Sequence, residues 1–180
     1  MLEPLSGAEV RTAVEFSLGA EQSVYLRLVS APVPGEVAQL PAGPLVVDHG
    51  RLIREGGPAV AIGAGPVVLA ELLRAAGLLH ADGVDLTIIN LPWLNRVDSA
   101  WLASLAASAE HLFVVENHYT RGGQADMLGR AVAELDGRPV PHCLAWSWSI
   151  RGLVTPRRWW PRACWPRSRR ACTARTRCCG

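Results

Sequence analysis

The feature that most constrains the fold of this chain is a repeated alternation of short β-rich runs with longer segments of helical periodicity. Three β-rich runs occur at 59–63, 85–90 and 111–115, and each precedes apolar residues spaced at i, i+3, i+4 and i+7. Such alternation predicts βαβ units and a parallel sheet covered by helices on both faces. A last strand is expected at 140–145, so the domain is predicted to span residues 45–150.

The first 30 residues carry a helix and a strand signal of their own. Ser6 and Glu9 have the spacing of a capping box, at which a helix begins, and residues 23–29 are β-rich and alternate in polarity. One helix and one strand cannot enclose a core, so we interpret residues 1–30 as a fragment of a second α/β domain. Residues 31–44 are rich in proline and glycine and are predicted to be a linker.

The charge of the chain is divided unevenly between its two parts. Residues 1–150 hold nine arginines against 16 acidic residues, whereas residues 151–180 hold nine arginines and no acidic residue. Most of the cysteine and tryptophan also lies beyond residue 145, without helical periodicity. Because out-of-frame reading of G+C-rich DNA produces Trp, Arg and Cys codons, we interpret 151–180 as an atypical tail that is out of frame or disordered. The alternative is a basic arm for nucleic acid or a membrane surface, which exposed Cys and Trp side chains disfavour.

Two classes of protein are disfavoured by the hydropathy of the chain. No apolar run approaches the roughly 18 residues of a membrane-spanning helix, and the first eight residues lack the basic start and apolar centre of a signal peptide. The sequence therefore predicts a cytoplasmic protein without a membrane partner.

A polar loop after the third β-rich run is the first candidate site. Glu116 and His118 follow the strand at 111–115, and Gly122 and Gly123 provide a hinge before the next helix. The crevice beyond the carboxyl ends of parallel strands is where open sheets bind ligands and partners. Glu116 and His118 could form an acid–base pair, but no nucleophile, metal-ligand spacing or cofactor loop stands nearby. The hypothesis of a docking loop is therefore favoured.

Arg27 is the second candidate, because it interrupts an apolar run. A guanidinium in such a place needs an anionic partner, either an internal carboxylate or a bound phosphate or carboxylate. A glycine pair, Gly63 and Gly65, matches two positions of a dinucleotide-binding motif, but Val68 stands at the third. We interpret this segment as a tight strand-to-helix turn.

Several short motifs occur in a characteristic order between residues 4 and 135. They are Ser-x-x-Glu, Val-Tyr-Leu-Arg-Leu, Leu-Ile-Arg-Glu-Gly-Gly, Gly-Ala-Gly-Pro, Ile-Ile-Asn-Leu-Pro-Trp and Val-Val-Glu-Asn-His. In this order they resemble the C-terminal part of transketolase-type enzymes, the group of transketolase, deoxyxylulose-phosphate synthase and 2-oxo acid dehydrogenase β subunits. The resemblance implies a mostly parallel open α/β sheet with helices on both faces, preceded by the end of a pyrimidine-binding-type domain at 1–30.

The resemblance also implies a function. Residues 45–150 would contribute dimerisation and domain packing to ketol or acyl transfer on sugar phosphates or 2-oxo acids, and the chain alone would be inactive. Thiamine diphosphate and a divalent metal (Mg²⁺) would belong to the assembled enzyme, bound by a partner chain that carries the diphosphate-binding and pyrimidine-binding domains. This chain has no Gly-Asp-Gly motif for the diphosphate and metal, and it is expected to bind neither by itself.

Site residues follow from the same resemblance. Arg27 matches an arginine that contacts the phosphate of a sugar-phosphate substrate, and Glu116, His118, Gly122 and Gly123 match a signature loop at the domain interface. Two other interpretations stay open: a non-catalytic interaction module with a basic tail, and a degenerate truncated gene product. Nucleic acid is not an expected partner.

Overall fold

The computed structural model describes residues 1–135, apart from residues 31, 42 and 120, and the backbone of residues 142–147. The predicted tail at 151–180 lies outside these residues. The helices and strands, in chain order, are α1 (Gly7–Gly19), α2 (Gly35–Ala38), β1 (Arg51–Arg54), β2 (Ala59–Gly63), α3 (Gly65–Ala81), β3 (Leu86–Asn90), α4 (Ser99–Ser108), β4 (His111–Glu116), α5 (Gln124–Ala133) and β5 (His142–Ser147).

The helices begin where capping chemistry predicts. The side-chain oxygen of Ser6 accepts a hydrogen bond from the N–H of Glu9 at 3.4 Å, and Asp98 accepts one from the N–H of Trp101 at 2.7 Å. Pro66 lies in the first turn of α3. A backbone N–H at this position would have no partner within the helix, so its absence in proline costs no hydrogen bond. Each of these three starts satisfies or avoids the free N–H groups of a first helical turn.

The five strands of the described residues form one sheet in the order β1-β3-β2-β4-β5. Strands β3, β2, β4 and β5 are parallel, and β1 pairs antiparallel with β3 at one edge. The chain passes from β2 to β3 on one side and then crosses back to β4 on the other side. The carboxyl ends of β2 and β4 therefore flank a topological switch point, the crevice in which open sheets bind ligands.

Apolar side chains cover both faces of the sheet, which confirms the predicted fold class. Successive residues of a strand point to opposite faces, so Ile62 and Val114 face one layer while Ala61 faces the other. The first layer is completed by residues of α4 and α5, namely Leu102, Leu128 and Val132. The second is completed by residues of α2 and α3, namely Val37, Val68, Leu69, Leu72 and Ala76.

The predicted strand at residues 23–29 does not join the sheet. Its only ladder contact among the described residues is a single parallel bridge between Leu26 and Leu2. No other backbone edge of the described chain lies alongside it, so the β-rich pattern has nothing further to pair with. The last strand lies at 142–147, two residues beyond its predicted start, and the domain boundaries at 30, 44 and 150 stay predictions.

Candidate interface at the carboxyl edge of the sheet

The switch-point crevice is closed by the first residues of the chain itself. The N–H of Glu3 donates to the carbonyl of Pro92 at 2.9 Å, and the N–H of Leu2 donates to the carbonyl of Tyr25 at the same distance. A methyl group added to Gly65, at the start of α3, would lie 2.2 Å from Glu3 Oε1. The Glu3 side chain thus occupies the position directly beyond the end of β2.

Glu3 is a buried carboxylate with one charged partner. Its side chain is 1% exposed, Oε2 lies 3.1 Å from Arg27 Nη1, and Oε1 has no hydrogen-bond partner among the described residues. Burial raises the pKa of Glu3 from 4.5 to about 7, and the Arg27 guanidinium opposes that rise only in part. A carboxyl group in this setting changes its charge near neutral pH.

Arg27 connects the N-terminal residues to the loop after β4. Besides its ion pair with Glu3, its Nη2 donates to Asn117 Oδ1 at 2.9 Å and to the Asn117 carbonyl at 3.3 Å. Its side chain is 24% exposed. The structure therefore provides the internal anion that the sequence allowed for Arg27, and the substrate contact stays a prediction.

Glu116 and Gly123 lie inside the chain. Glu116 is buried, and its Oε2 accepts the N–H of Gln124 at 2.7 Å, so it caps the first turn of α5. Gly123 packs against that carboxylate, since an added methyl group would lie 2.2 Å from Glu116 Oε2. Gln124 extends the network by donating from Nε2 to the carbonyls of Leu91 at 2.8 Å and Trp93 at 3.0 Å. These residues hold the loop from within.

His118 and Gly122 lie at the surface of the same loop. The His118 ring packs edge-on against Tyr119, with ring centroids 5.4 Å apart, and both side chains are exposed. Gly122 adopts a left-handed φ of 70°, and its N–H donates to Asp126 Oδ2 at 3.1 Å. The four predicted loop residues thus divide into an inner pair, Glu116 and Gly123, and an outer pair, His118 and Gly122.

Three polar residues of this network were not among the predicted site residues: Glu3, Asn117 and Gln124. Glu3 and Asn117 both bond to Arg27, from 24 and 90 residues away along the chain. Gln124 bonds to the carbonyls of Leu91 and Trp93, which are 33 and 31 residues before it. A carboxylate between Leu2 and Leu5, in an otherwise apolar start, was the one available signal. Such a carboxylate indicates burial with a cationic partner. Arg27 was the candidate cation, because its guanidinium needed an anionic partner.

A second ion pair, with a buried carboxylate, lies beside the start of α1. Glu9 Oε1 is 2.5 Å from Arg51 Nη2, and Glu9 Oε2 accepts the N–H of Leu5 at 2.9 Å. These side chains border a cavity of about 170 Å³ that Asn90 and Pro92 also line. The pair fixes α1 to β1.

The donor chemistry of the described residues does not favour a metal site. Among these residues, no group of three or more His, Cys, Asp or Glu side chains is arranged to hold a metal ion.

No helix in the described part of the chain is long and apolar enough to cross a membrane.

The described residues form an open, mostly parallel sheet with helices on both faces, a domain of the α/β class. The model of the transketolase C-terminal domain matches residues 48–145. The chain belongs to this family.

Relatives of the chain are longer proteins. A 1-deoxy-D-xylulose-5-phosphate synthase of Desulfitobacterium hafniense is 30% identical over 141 residues, which cover 76% of this chain and 21% of the relative. One subunit of an apulose-4-phosphate transketolase of Actinobacillus succinogenes is 25% identical over 140 residues, which cover 76% of this chain and 43% of the relative. The chain therefore spans less than half the length of these proteins.

A solved structure shares the fold. It is described as a split gene transketolase in an inactive beta4 tetramer, and it matches with a TM-score of 0.72 at 23% identity. The match covers 82% of this chain and 47% of the solved chain.

Proposed function

We propose that this chain is the C-terminal part, as a subunit or fragment, of a transketolase-like enzyme of the cytoplasm. It would contribute dimerisation and domain packing to ketol or acyl transfer on sugar phosphates or 2-oxo acids, and would be inactive alone. The observation that carries the proposal is the family match over residues 48–145 in a chain that spans less than half of its relatives.

Thiamine diphosphate with Mg²⁺ would serve the assembled enzyme, where it supplies the carbanion chemistry. The carboxyl edge of this chain does not fit that cofactor. Glu3 and Glu116 are buried acceptors, each with an oxygen that lacks a hydrogen-bond partner among the described residues. A diphosphate is held by cations and hydrogen-bond donors, which these acceptor oxygens do not supply. The cofactor is therefore assigned to the partner chain, and no step of the reaction is derived from residues of this one.

In this proposal the loop at the carboxyl edge contacts the partner. His118 and Gly122 would lie against it, while Glu116 and Gly123 hold the loop in shape through the hydrogen bond to Gln124. Arg27 would contact a substrate phosphate in the assembled enzyme, and its partial exposure leaves room for that contact. A guanidinium can serve an internal carboxylate and an external phosphate together, because it has five N–H donors.

The candidate partner chain is defined by its own sequence. It should be encoded next to this gene and carry Gly-Asp-Gly followed by asparagine, together with the glutamate that activates the cofactor. Mixing the two chains with thiamine diphosphate and Mg²⁺ should produce ketol transfer that neither chain shows alone. A partner that is fully active without this chain would contradict the proposal.

Replacement of His118 separates docking from catalysis. His118→Ala should weaken assembly with the candidate partner chain, measured by sedimentation, and should lower activity only as far as assembly falls. His80→Ala is the matched control, because His80 is an exposed histidine of α3 that pairs with Asp85. A His118→Ala protein that assembles normally yet loses activity would assign the loop a catalytic role instead.

The second candidate function is a non-catalytic interaction module with a basic tail, or a degenerate gene product. The nine arginines and absent acidic residues of 151–180 favour it. The gene neighbourhood decides between the two functions, because a split enzyme should lie beside a chain with Gly-Asp-Gly. Resequencing that finds a family-like last helix in another frame would assign the tail to a frameshift.

A further inference from the structure

The Arg27 guanidinium has hydrogen-bond donors that the described chain does not use. It makes three hydrogen bonds there, one from Nη1 to Glu3 and two from Nη2 to Asn117. A guanidinium has five N–H donors, so at least two are left over. The side chain is 24% exposed, so an anion from outside can reach it. Arg27 can therefore bond to such an anion without releasing its internal partners.

Glu3 determines how much positive charge Arg27 presents to an external anion. Glu3 Oε2 lies 3.1 Å from Arg27 Nη1, whereas Asn117, the other partner, is uncharged. When Glu3 is ionised, the pair is neutral overall and the carboxylate repels a second anion. When Glu3 is protonated, the guanidinium keeps its full charge.

The elements that contact Glu3 bring no other charge to it. Glu3 touches the start of α3 at Gly65, and its N–H bonds to the carbonyl of Pro92. The residues around these two contacts, 63–70 and 90–94, contain no charged side chain. The charge that faces Glu3 therefore comes from the segment that carries Arg27.

Two further carboxylates stand on neighbouring elements. Glu116 caps α5 from the end of β4, and Glu9 of α1 pairs with Arg51. Neither is a cation, so neither can replace Arg27 as the counterion of Glu3. Burial raises the pKa of Glu3 to about 7, and Arg27 is the cation that opposes this rise. The charge of Glu3 therefore changes over the neutral range, while that of Arg27 stays fixed.

We propose that Glu3 sets the anion affinity of Arg27, so that ionisation of Glu3 weakens the binding of a phosphate group there and protonation strengthens it. Glu3 touches no substrate in this proposal and acts only through Arg27. The inference rests on the proposed function in one respect, because that function identifies the anion as the phosphate of a substrate.

The proposal differs from a purely structural ion pair in a way that can be measured. Protonation and anion binding are linked, so each changes the other by the same factor. If protonation of Glu3 strengthens anion binding at Arg27, a bound anion must raise the pKa of Glu3. A structural pair that takes no part in anion binding would show neither effect.

Sulfate is the probe, because its double charge does not change between pH 6 and pH 8. An NMR titration of the unaltered chain, followed at the Arg27 side chain, should show at least about fivefold tighter binding at pH 6 than at pH 8. This factor follows from a tenfold difference between the two charge states of Glu3 and a pKa of about 7. In the same samples, the Glu3 carboxyl carbon should titrate at a higher pH when sulfate is present.

Glu3→Gln keeps the shape of the side chain and removes its charge. At pH 8 it should bind sulfate at least about fivefold more tightly than the unaltered chain. Histidines also gain charge as the pH falls, including His118 next to Asn117, and the variant keeps their contribution. Glu110→Gln is the matched control, because it removes an exposed carboxylate at the opposite end of β4 and should leave the pH dependence unchanged.

The outcomes separate this inference from the function on which it rests. A sulfate affinity that is equal at the two pH values, or a Glu3→Gln protein that binds at pH 8 as the unaltered chain does, would overturn the inference. Circular dichroism shows whether the variant folds, and the titration of Glu3 with and without sulfate tests the same link in the unaltered chain. Absence of ketol transfer with the candidate partner chain would overturn the proposed function and leave the sulfate result in place.

Discussion

The loop at the carboxyl edge and the N-terminal stretch differ in an instructive way. The loop contains the residues that suggest chemistry, yet Glu116 and Gln124 are buried and hydrogen-bonded within the chain. The N-terminal stretch contains mainly unremarkable apolar residues, yet Leu18 and Tyr25 are exposed. Polar residues in the interior hold this loop together, whereas apolar residues at the surface are available for contact with another molecule.

The two regions are joined by one side chain. Arg27 stands in the N-terminal stretch and bonds both to Glu3 and to Asn117 of the loop. A partner that docks on residues 24–28 would therefore contact the segment that also positions the loop.

The largest effect on stability is expected from a methyl group added inside the loop. In Gly123→Ala, the new carbon would lie 2.2 Å from Glu116 Oε2 and 2.6 Å from the Tyr119 carbonyl. The clash should lower the free energy of unfolding by about 4 kcal/mol, measured by urea denaturation, because it also displaces the cap of α5.

Gly122→Ala is the neighbouring control. It has open space around the new methyl group but a φ of 70°, so about 1 kcal/mol is expected from backbone strain alone. Equal effects of the two substitutions would show that the loop is not packed from within.

A smaller effect is expected from the charge of Glu3. Its pKa in the folded chain is about 7, above its ordinary value of 4.5, so the protonated form is favoured by folding. The stability that this provides is complete below pH 4.5 and is lost as the pH rises through 7, a change of about 3 kcal/mol. Urea denaturation across this range should show the decline.

Glu3→Gln should remove that part of the pH dependence. Glu36→Gln, at an exposed ion pair with Arg74, should keep the slope of the unaltered chain between pH 4.5 and 7. A Glu3→Gln protein with an unchanged slope would mean that Glu3 is accessible to water, and the crevice would then be open.

The smallest effect on stability is expected at the N-terminal surface. Leu18→Ser should change the free energy of unfolding of the isolated chain by less than about 0.5 kcal/mol, because an exposed side chain has little packing to lose. Leu102→Ala, at a fully buried leucine of α4, should cost about 3 kcal/mol in the same measurement. Comparable losses would place Leu18 in a packed environment and remove the contrast between the two regions.

The local pattern of apolar residues was sufficient to predict the sheet and the helices that cover it. The runs at 59–63, 85–90 and 111–115 became β2, β3 and β4, because short apolar runs with helical segments between them have few other ways to bury their surface. The start of α1 followed from the spacing of Ser6 and Glu9.

The carboxyl edge could be predicted only in part. The position of Glu116 and Gly123 after a strand was evident, but their inward orientation depends on Gln124 and on carbonyls some 30 residues earlier. Glu3 required knowledge of which segment would close the crevice. The strand pattern at 23–29 describes a segment suited to a sheet, and sequence alone does not say whether that sheet is within the same chain.

Amide hydrogen exchange by NMR, on the chain alone and with the candidate partner chain, tests the central claim most directly. We predict that the amides of Leu26 and Leu28 exchange at least about tenfold more slowly in the complex, because they gain acceptors there. The amide of Gln124, already bonded to Glu116, should exchange at the same rate in both samples. A complex that protects Gln124 and leaves Leu26 and Leu28 unchanged would contradict the proposal that residues 1–30 complete a domain of the partner chain.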